Sequence, residues 1–186
     1  MPDEKPVSPA DVRRKDRAKD DAWIRQFLQR APFGVLATVS EGQPFVNSNL
    51  FVYAEAAHAI YVHTARVGRT PANIEREERV CFSVSEMGRL LPAEHALKFS
   101  VEYAGVTVFG RARVLSDAAE TRHGLQLLLD KYFPHLRPGR DYRAITDDEL
   151  ARTAVYRIEI EHWSGKAKAE RADFSGAFHY PVQPGE

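Results

Sequence analysis

Strand-forming runs recur along this sequence without the strand–helix–strand rhythm that a parallel sheet requires, and that pattern narrows the possible folds most. Residues 35–39 are a short apolar run, and Glu41-Gly-Gln-Pro44 follows as a turn. Residues 45–54 are rich in β-formers, and a turn around Ala56-Ala-His58 leads to a third run, 60–63. Residues 80–84 alternate as a fourth strand. Residues 101–115 make a long fifth, in which Gly105 and Gly110 mark bulges or bends. The last run, 154–161, sets Arg157, Glu159 and Glu161 against Tyr156, Ile158 and Ile160. These six runs predict a mainly β fold, a six-stranded antiparallel split β-barrel with peripheral helices.

Helices punctuate that pattern at few places. Asp20-Asp21 can cap a helix carrying Trp23, Ile24, Phe27 and Leu28 at helical spacing, stopped by Pro32-Phe-Gly34. Ser116-Asp117 starts a longer helix whose apolar stripe is Leu125, Leu128, Leu129 and Tyr132, ended by Pro134. Thr146-Asp-Asp-Glu149 is a capping-box pattern. Residues 87–95 read as a loop punctuated by Gly88 and Pro92. The chain divides into a polar arm (1–19) read as solvated, one domain (20–174), and an extended or loose tail (175–186).

Charge and cysteine usage exclude several function classes. Basic and acidic residues balance at 26 each, with a pI near 7.1, so no global field draws the chain to nucleic acid or to a membrane. The single Cys81 allows no internal disulfide and sits in an apolar run as a buried small hydrophobe. No apolar run approaches the roughly 20 residues of a membrane span. The Met-Pro-Asp-Glu-Lys start lacks a signal pattern, so a cytoplasmic protein is expected.

The stretch Tyr61-Val-His-Thr-Ala-Arg-Val-Gly-Arg-Thr-Pro71 carries the clearest chemistry. A short strand ends in a hydroxyl and a basic turn. A helix over 71–78 is then predicted, with Thr70 as N-cap and Pro71 at its first position. Free N–H groups at that helix start, the Arg66 and Arg69 guanidiniums and the Thr64 hydroxyl would suit a phosphate or another compact anion. Many such junctions bind nothing. On the second strand Phe45, Asn47, Asn49, Phe51 and Tyr53 share a face. The two carboxamides either bond the edge of a flat heteroaromatic ligand or simply face water. His63 could orient or protonate a substrate, or serve a structural role. The remaining histidines lack metal-ligand spacing, and no nucleophile elbow, Walker or Rossmann pattern occurs. Chemistry without an evident nucleophile, base pair or metal points to an organic cofactor. Trp163 in Glu161-His-Trp163-Ser-Gly-Lys166, following the last strand, is either a packing residue or an aromatic lid beside the Lys166 charge.

Together these residues resemble the FMN-binding split-barrel superfamily typified by pyridoxamine 5'-phosphate oxidases, and most of all its Nim-type nitroimidazole-resistance branch. The resemblance rests on four blocks in matching order. They are Val62-His-Thr-Ala-Arg-Val-Gly-Arg69, Val84-Ser-Glu-Met-Gly-Arg-Leu-Leu-Pro92, Tyr103-Ala-Gly-Val-Thr-Val-Phe-Gly-Arg-Ala-Arg113 and the Trp163 motif. It implies a flavin-dependent oxidoreductase using FMN, and a homodimer with two interface sites built from both chains. Carried over by position, Asn47, Ser48, Asn49 and Leu50 line the ring and phosphate. His63, Thr64, Ala65, Arg69 and Thr70 hold the phosphate block, with Trp163 and Lys166 completing the cofactor set. His63 is placed at the reaction centre, and the implied reaction is reduction of a nitroimidazole to an amine. The oxidases' Arg–Lys pair is Arg69-Thr70 here, and the arginine and lysine of their second-strand motif are Asn47 and Val52. Those departures argue against oxidation of pyridoxamine phosphate itself. The alternative is a non-catalytic split barrel binding flavin, haem or a small carboxylate.

Overall fold

The computed structural model describes residues 8–181. Residues 1–7 of the expected polar arm and 182–186 of the expected loose tail lie outside the described residues. The elements in order are β1 (Ala18–Lys19), α1 (Asp21–Arg30), β2 (Gly34–Ser40), β3 (Gln43–Asn49), β4 (Phe51–Ala54) and β5 (Ala59–Ala65). They continue with α2 (Arg69–Arg76), β6 (Arg79–Leu91), β7 (Ser100–Val114), α3 (Ala118–Tyr132), α4 (Asp147–Arg152) and β8 (Thr153–Lys168). All strand pairings are antiparallel, in the order β3-β2-β6-β7-β8-β5-β4, with β1 added beside β8.

The fold class is the one expected, but among the described residues eight strands stand where six were predicted. Leu50 interrupts the second run and splits it into β3 and β4, the two margins of the sheet. The other extra strand is the two-residue β1, so the polar arm does more than sit in solvent: Ala18 and Lys19 pair with Lys166 and Gly165 of β8.

Alternation sends one set of side chains inward. Leu36, Phe51, Ile60, Val62, Phe82, Val84, Val106, Val108, Tyr156 and Ile158 are buried in one cluster, joined by Ile24, Phe27 and Leu28 of α1. The α1 helix starts where expected, with the Asp20 carboxylate accepting the Trp23 N–H at 2.8 Å. A smaller cluster (Ala59, Tyr61, Leu115, Val155) lies on the opposite face and packs against Leu125 and Leu127 of α3. The Asp117 cap of α3 and the Thr146–Glu149 capping box of α4 are both present.

Two strands outrun their sequence signals. β6 continues through Met87 to Leu91, where a loop was predicted, because Met87, Leu90 and Leu91 pair with Tyr103, Val101 and Ser100. A register shift between Met87 and Leu90 absorbs Gly88 and Arg89. β8 runs to Lys168, so the Trp163 motif lies inside the last strand instead of after it. Of the two glycines expected at irregularities, Gly110 sits at a β7–β8 register shift. A Cβ there would fall 2.0 Å from the Glu159 carbonyl oxygen, so only glycine permits the approach. Gly105 pairs regularly.

The segment after β8 is clasped to the sheet. Arg89 forms a two-pronged pair with Glu102 at 2.9 and 2.7 Å and donates to the carbonyls of Glu170, Arg171 and Ala172. This pairing holds the Glu102 carboxyl at about 2, far below its ordinary value. Phe178 then exchanges backbone hydrogen bonds with Leu90.

Candidate functional site

The β5–α2 junction is built by the end of β5, a protruding turn and an open helix start. Gly68, with φ +148°, is the residue before the first helical turn. The helix therefore begins at Arg69, earlier than the predicted 71–78, and Gly68 replaces Thr70 as N-cap. Thr70 is free to act otherwise, and its Oγ1 accepts from Asn47 Nδ2 at 3.4 Å. No side chain caps this helix, so the Arg69 and Thr70 N–H groups lack intrahelical acceptors, and Pro71 has none to offer. The Arg69 guanidinium lies over the Phe45 ring, 5.1 Å from its centre. Asn49 Nδ2 donates to the Asn47 carbonyl at 2.8 Å, holding both carboxamides beside the helix start. The second expected guanidinium turns away: Arg66 Nη2 reaches the Leu150 carbonyl at 3.5 Å.

Alternation separates the other candidate residues. Ser48 and Leu50 point to the opposite face of β3 from Asn47 and Asn49 and are exposed. Thr64 Oγ1 and Tyr156 Oη lie 2.7 Å apart at the barrel wall. Ala65 pairs with Thr153 at the strand's exposed end. His63 shares its face with Tyr61 and, with Leu50, lines a cleft of about 300 Å³ beneath α3, among Leu125, Leu128, Leu129 and Tyr132. The end of β5 is open to solvent, yet shielding of the imidazole by this apolar wall lowers its pKa below the ordinary histidine value. At neutral pH the ring is therefore uncharged and donates through one nitrogen only. The stripe on α3 had signalled packing alone. That it also walls a cleft was not visible until α3 was placed over β4 and β5.

Trp163 and Lys166 are not part of that grouping within one chain. Trp163 lies eight residues along β8 from Val155, the partner of His63, past a register shift and at the opposite end of β5, beside Tyr53 and His58. Its Nε1 donates to Asp21 at 2.8 Å, and its ring meets His58 edge-on at 4.7 Å. Among the described residues no group of three or more His, Cys, Asp or Glu could hold a metal ion, and no helix is long and apolar enough to cross a membrane.

The antiparallel split barrel thus carries an uncapped, arginine-flanked helix start beside a strand bearing two carboxamides. A family model described as pyridoxamine 5'-phosphate oxidase matches residues 20–167, and the chain belongs to that family of split barrels. No curated protein matches. Among solved structures, the flavocytochrome Anf3 from Azotobacter vinelandii is 25% identical, covering 98% of this chain and 90% of its own, with a TM-score of 0.76. The FAD and heme binding protein from Mycobacterium smegmatis is 23% identical over 83% of this chain and 74% of its own (TM-score 0.73). A candidate 5-nitroimidazole antibiotic resistance protein from Bacteroides thetaiotaomicron is 19% identical over 80% and 84% (TM-score 0.66). The last two likenesses establish the fold alone.

Proposed function

We propose that the protein is a flavin-dependent oxidoreductase that holds FMN at the start of α2 and reduces a small electrophilic aromatic such as a nitroimidazole. The observation that carries this reading is the uncapped α2 start with Arg69 and the Asn47–Asn49 pair beside it. Two backbone N–H groups and a guanidinium match a phosphate in charge and donor geometry. Bound flavin would supply hydride transfer from a reduced nicotinamide to the electrophile. Asn47 and Asn49, with Thr70 beside them, offer donors and acceptors to a heteroaromatic edge, while Ser48 and Leu50 stand on the other face and Thr64 and Ala65 at the end of β5. His63, neutral at physiological pH, orients an acceptor oxygen of the substrate by donating one hydrogen bond. Trp163 and Lys166 reach the same ligand from a second copy of the chain in a homodimer, since one chain keeps them roughly a barrel length away. Residues 20–174 form the working domain in this reading.

The test is the absorbance spectrum of freshly purified protein. A two-humped flavin spectrum, with FMN released on denaturation, is expected. Protein that stays colourless after incubation with FMN and desalting overturns the reading. Consumption of reduced nicotinamide with a nitroimidazole then separates enzyme from carrier.

One observation favours a second reading, haem binding without catalysis. With a neutral imidazole at the mouth of an apolar cleft and Arg143 on its rim, His63 would hold the iron of a bound haem and Arg143 would pair a propionate. Both the Azotobacter flavocytochrome and the Mycobacterium FAD and heme binding protein are named for haem. A Soret band that His63→Ala abolishes is the expected sign. Its absence after haem loading removes this reading.

A further inference from the structure

The side of α2 that meets the sheet is polar where a helix packed on a barrel is ordinarily apolar. Thr70, Asn73 and Arg76 recur at three-residue spacing and so lie along one side of the helix. Each meets the β2–β3 ladder through its side chain. Thr70 Oγ1 accepts from Asn47 Nδ2 at 3.4 Å, and Asn73 Nδ2 donates to Thr38 Oγ1 at 2.9 Å. Arg76 Nη1 donates to Ser40 Oγ at 3.2 Å. Pro71 and Ile74 are the buried apolar residues of this helix.

The three rungs differ in weight. Arg76 is largely exposed, and its pairing with Glu41 at 3.3 Å is a surface contact of little worth. The middle rung is enclosed, with Thr38 and Asn73 each only 4% exposed. Sliding or rolling α2 would strand the Asn73 amide and the Thr38 hydroxyl where water cannot replace the lost bond. An apolar contact tolerates such sliding, because it has no preferred direction. The Asn73–Thr38 bond therefore fixes where α2 sits, which packing by Ile74 alone leaves loose.

That bond lies close to the open end of the helix. Thr38 is paired across the ladder with Phe45, whose ring lies under the Arg69 guanidinium at 5.1 Å. Leu36, two residues back along β2, is paired with Asn47. About one helical turn separates Asn73 from Arg69 and Thr70. A shift of α2 at Thr38 is thus carried to the Arg69 and Thr70 N–H groups and to the Asn47–Thr70 contact.

We propose that Asn73 and Thr38 are positioning residues for the phosphate end of the flavin site. Their buried bond sets α2 so that its open start faces Asn47 and Asn49, and neither residue touches the ligand. This role deepens the flavin reading, on which the identity of the ligand rests.

The experiment uses the full chain carrying Thr38→Val, alone and combined with Asn73→Leu. The double substitution replaces both partners by apolar groups of similar size, which keeps the burial and removes the directional bond. Urea unfolding and amide hydrogen exchange are measured without ligand. The double variant keeps an unfolding midpoint close to that of the unsubstituted chain, yet its α2 amides exchange at least about tenfold faster. FMN and riboflavin, which lacks the phosphate, are then titrated by flavin fluorescence. FMN binds the double variant about fivefold or more weakly, as loss of one neutral hydrogen bond predicts, and riboflavin binds as before. If the double variant loses cooperative unfolding, Thr38→Val alone is read by the same criteria. Unaltered α2 exchange, unaltered FMN affinity, or equal weakening of FMN and riboflavin would each overturn the proposal. Faster exchange in a protein that binds no FMN even when unsubstituted sinks the flavin reading and leaves the placement of α2 standing.

Discussion

The Tyr132 hydroxyl accepts the Phe51 N–H at 3.1 Å and lies 2.7 Å from the Pro32 carbonyl and 3.0 Å from that of Phe51, both possible acceptors for its proton. Phe51 opens β4, the margin of the sheet, where no strand among the described residues pairs its outer edge. A side chain at the end of α3 thus takes the place of a missing strand. Tyr132→Phe removes that partner and is expected to cost about 1–3 kcal/mol, the penalty of a stranded backbone group, read from urea unfolding. An unchanged midpoint would mean water replaces the hydroxyl without loss.

At the α2 start, Arg69→Ala is expected to weaken FMN binding by about 1.5–3 kcal/mol, the usual worth of a hydrogen bond to a charged group. Asn47→Ala costs less, about 1 kcal/mol, because it supplies a neutral bond and steadies Thr70. Fluorescence titration of FMN measures both. A dissociation constant unmoved by Arg69→Ala would place the phosphate elsewhere.

His63 titrates below the ordinary histidine value because the apolar cleft disfavours its cation. Between the unfolded pKa and this lower folded one, the unfolded chain binds more protons, so stability falls as pH drops through that window. NMR titration of the imidazole is expected to show the low midpoint. Leu129→Ala, which opens the cleft to water, moves the midpoint back up, and a midpoint indifferent to Leu129 would assign the shift to another cause.

The Arg89–Glu102 clasp has a different acid response. With the Glu102 carboxyl held at about 2, the clasp's contribution is complete above the unfolded value near 4.5 and is lost as pH falls toward 2. Proteolysis of the segment after β8 is expected to stay slow at pH 4 and to accelerate below about pH 3. In Arg89→Ala the segment is cut readily already at neutral pH.

Gly110→Ala places a methyl 2.0 Å from the Glu159 carbonyl oxygen, a backbone atom that can move only with β8. A loss of roughly 3 kcal/mol or more in thermal unfolding is expected, at the severe end for single substitutions. Gly139→Ala, with open space around it but φ +78°, should cost nearer 1 kcal/mol.

Sequence patterns reached the barrel because each signal was local. Alternating side chains located the strands, and the Asp20, Asp117 and Thr146 caps located three helices. What escaped was decided by partners far away in the chain. Residues 87–91 read as loop from the punctuation of Gly88 and Pro92, and became strand only because Tyr103, Val101 and Ser100 lay alongside. Thr70 has the chemistry of an N-cap, but Asn47 engages its hydroxyl and Gly68 supplies the backbone angle. Strand alternation put Asn47 and Asn49 on one face and turn spacing put Arg69 and Thr70 at the helix start, but that the two sets lie together was implied only by the family resemblance. The separation of His63 and Leu50 into a cleft under α3 depended on where that helix docks, which no local pattern records.

The pairing of Ala18 and Lys19 with Gly165 and Lys166 carries one more consequence. β8 spends one flank on β7 and only the first half of its other flank on β5, so its second half would otherwise offer bare amides and carbonyls to any passing chain. The short arm strand shields part of that rim. Removing Ala18 and Lys19 with the arm before them would therefore expose a sticky border, and the shortened protein should form higher aggregates than the unshortened one.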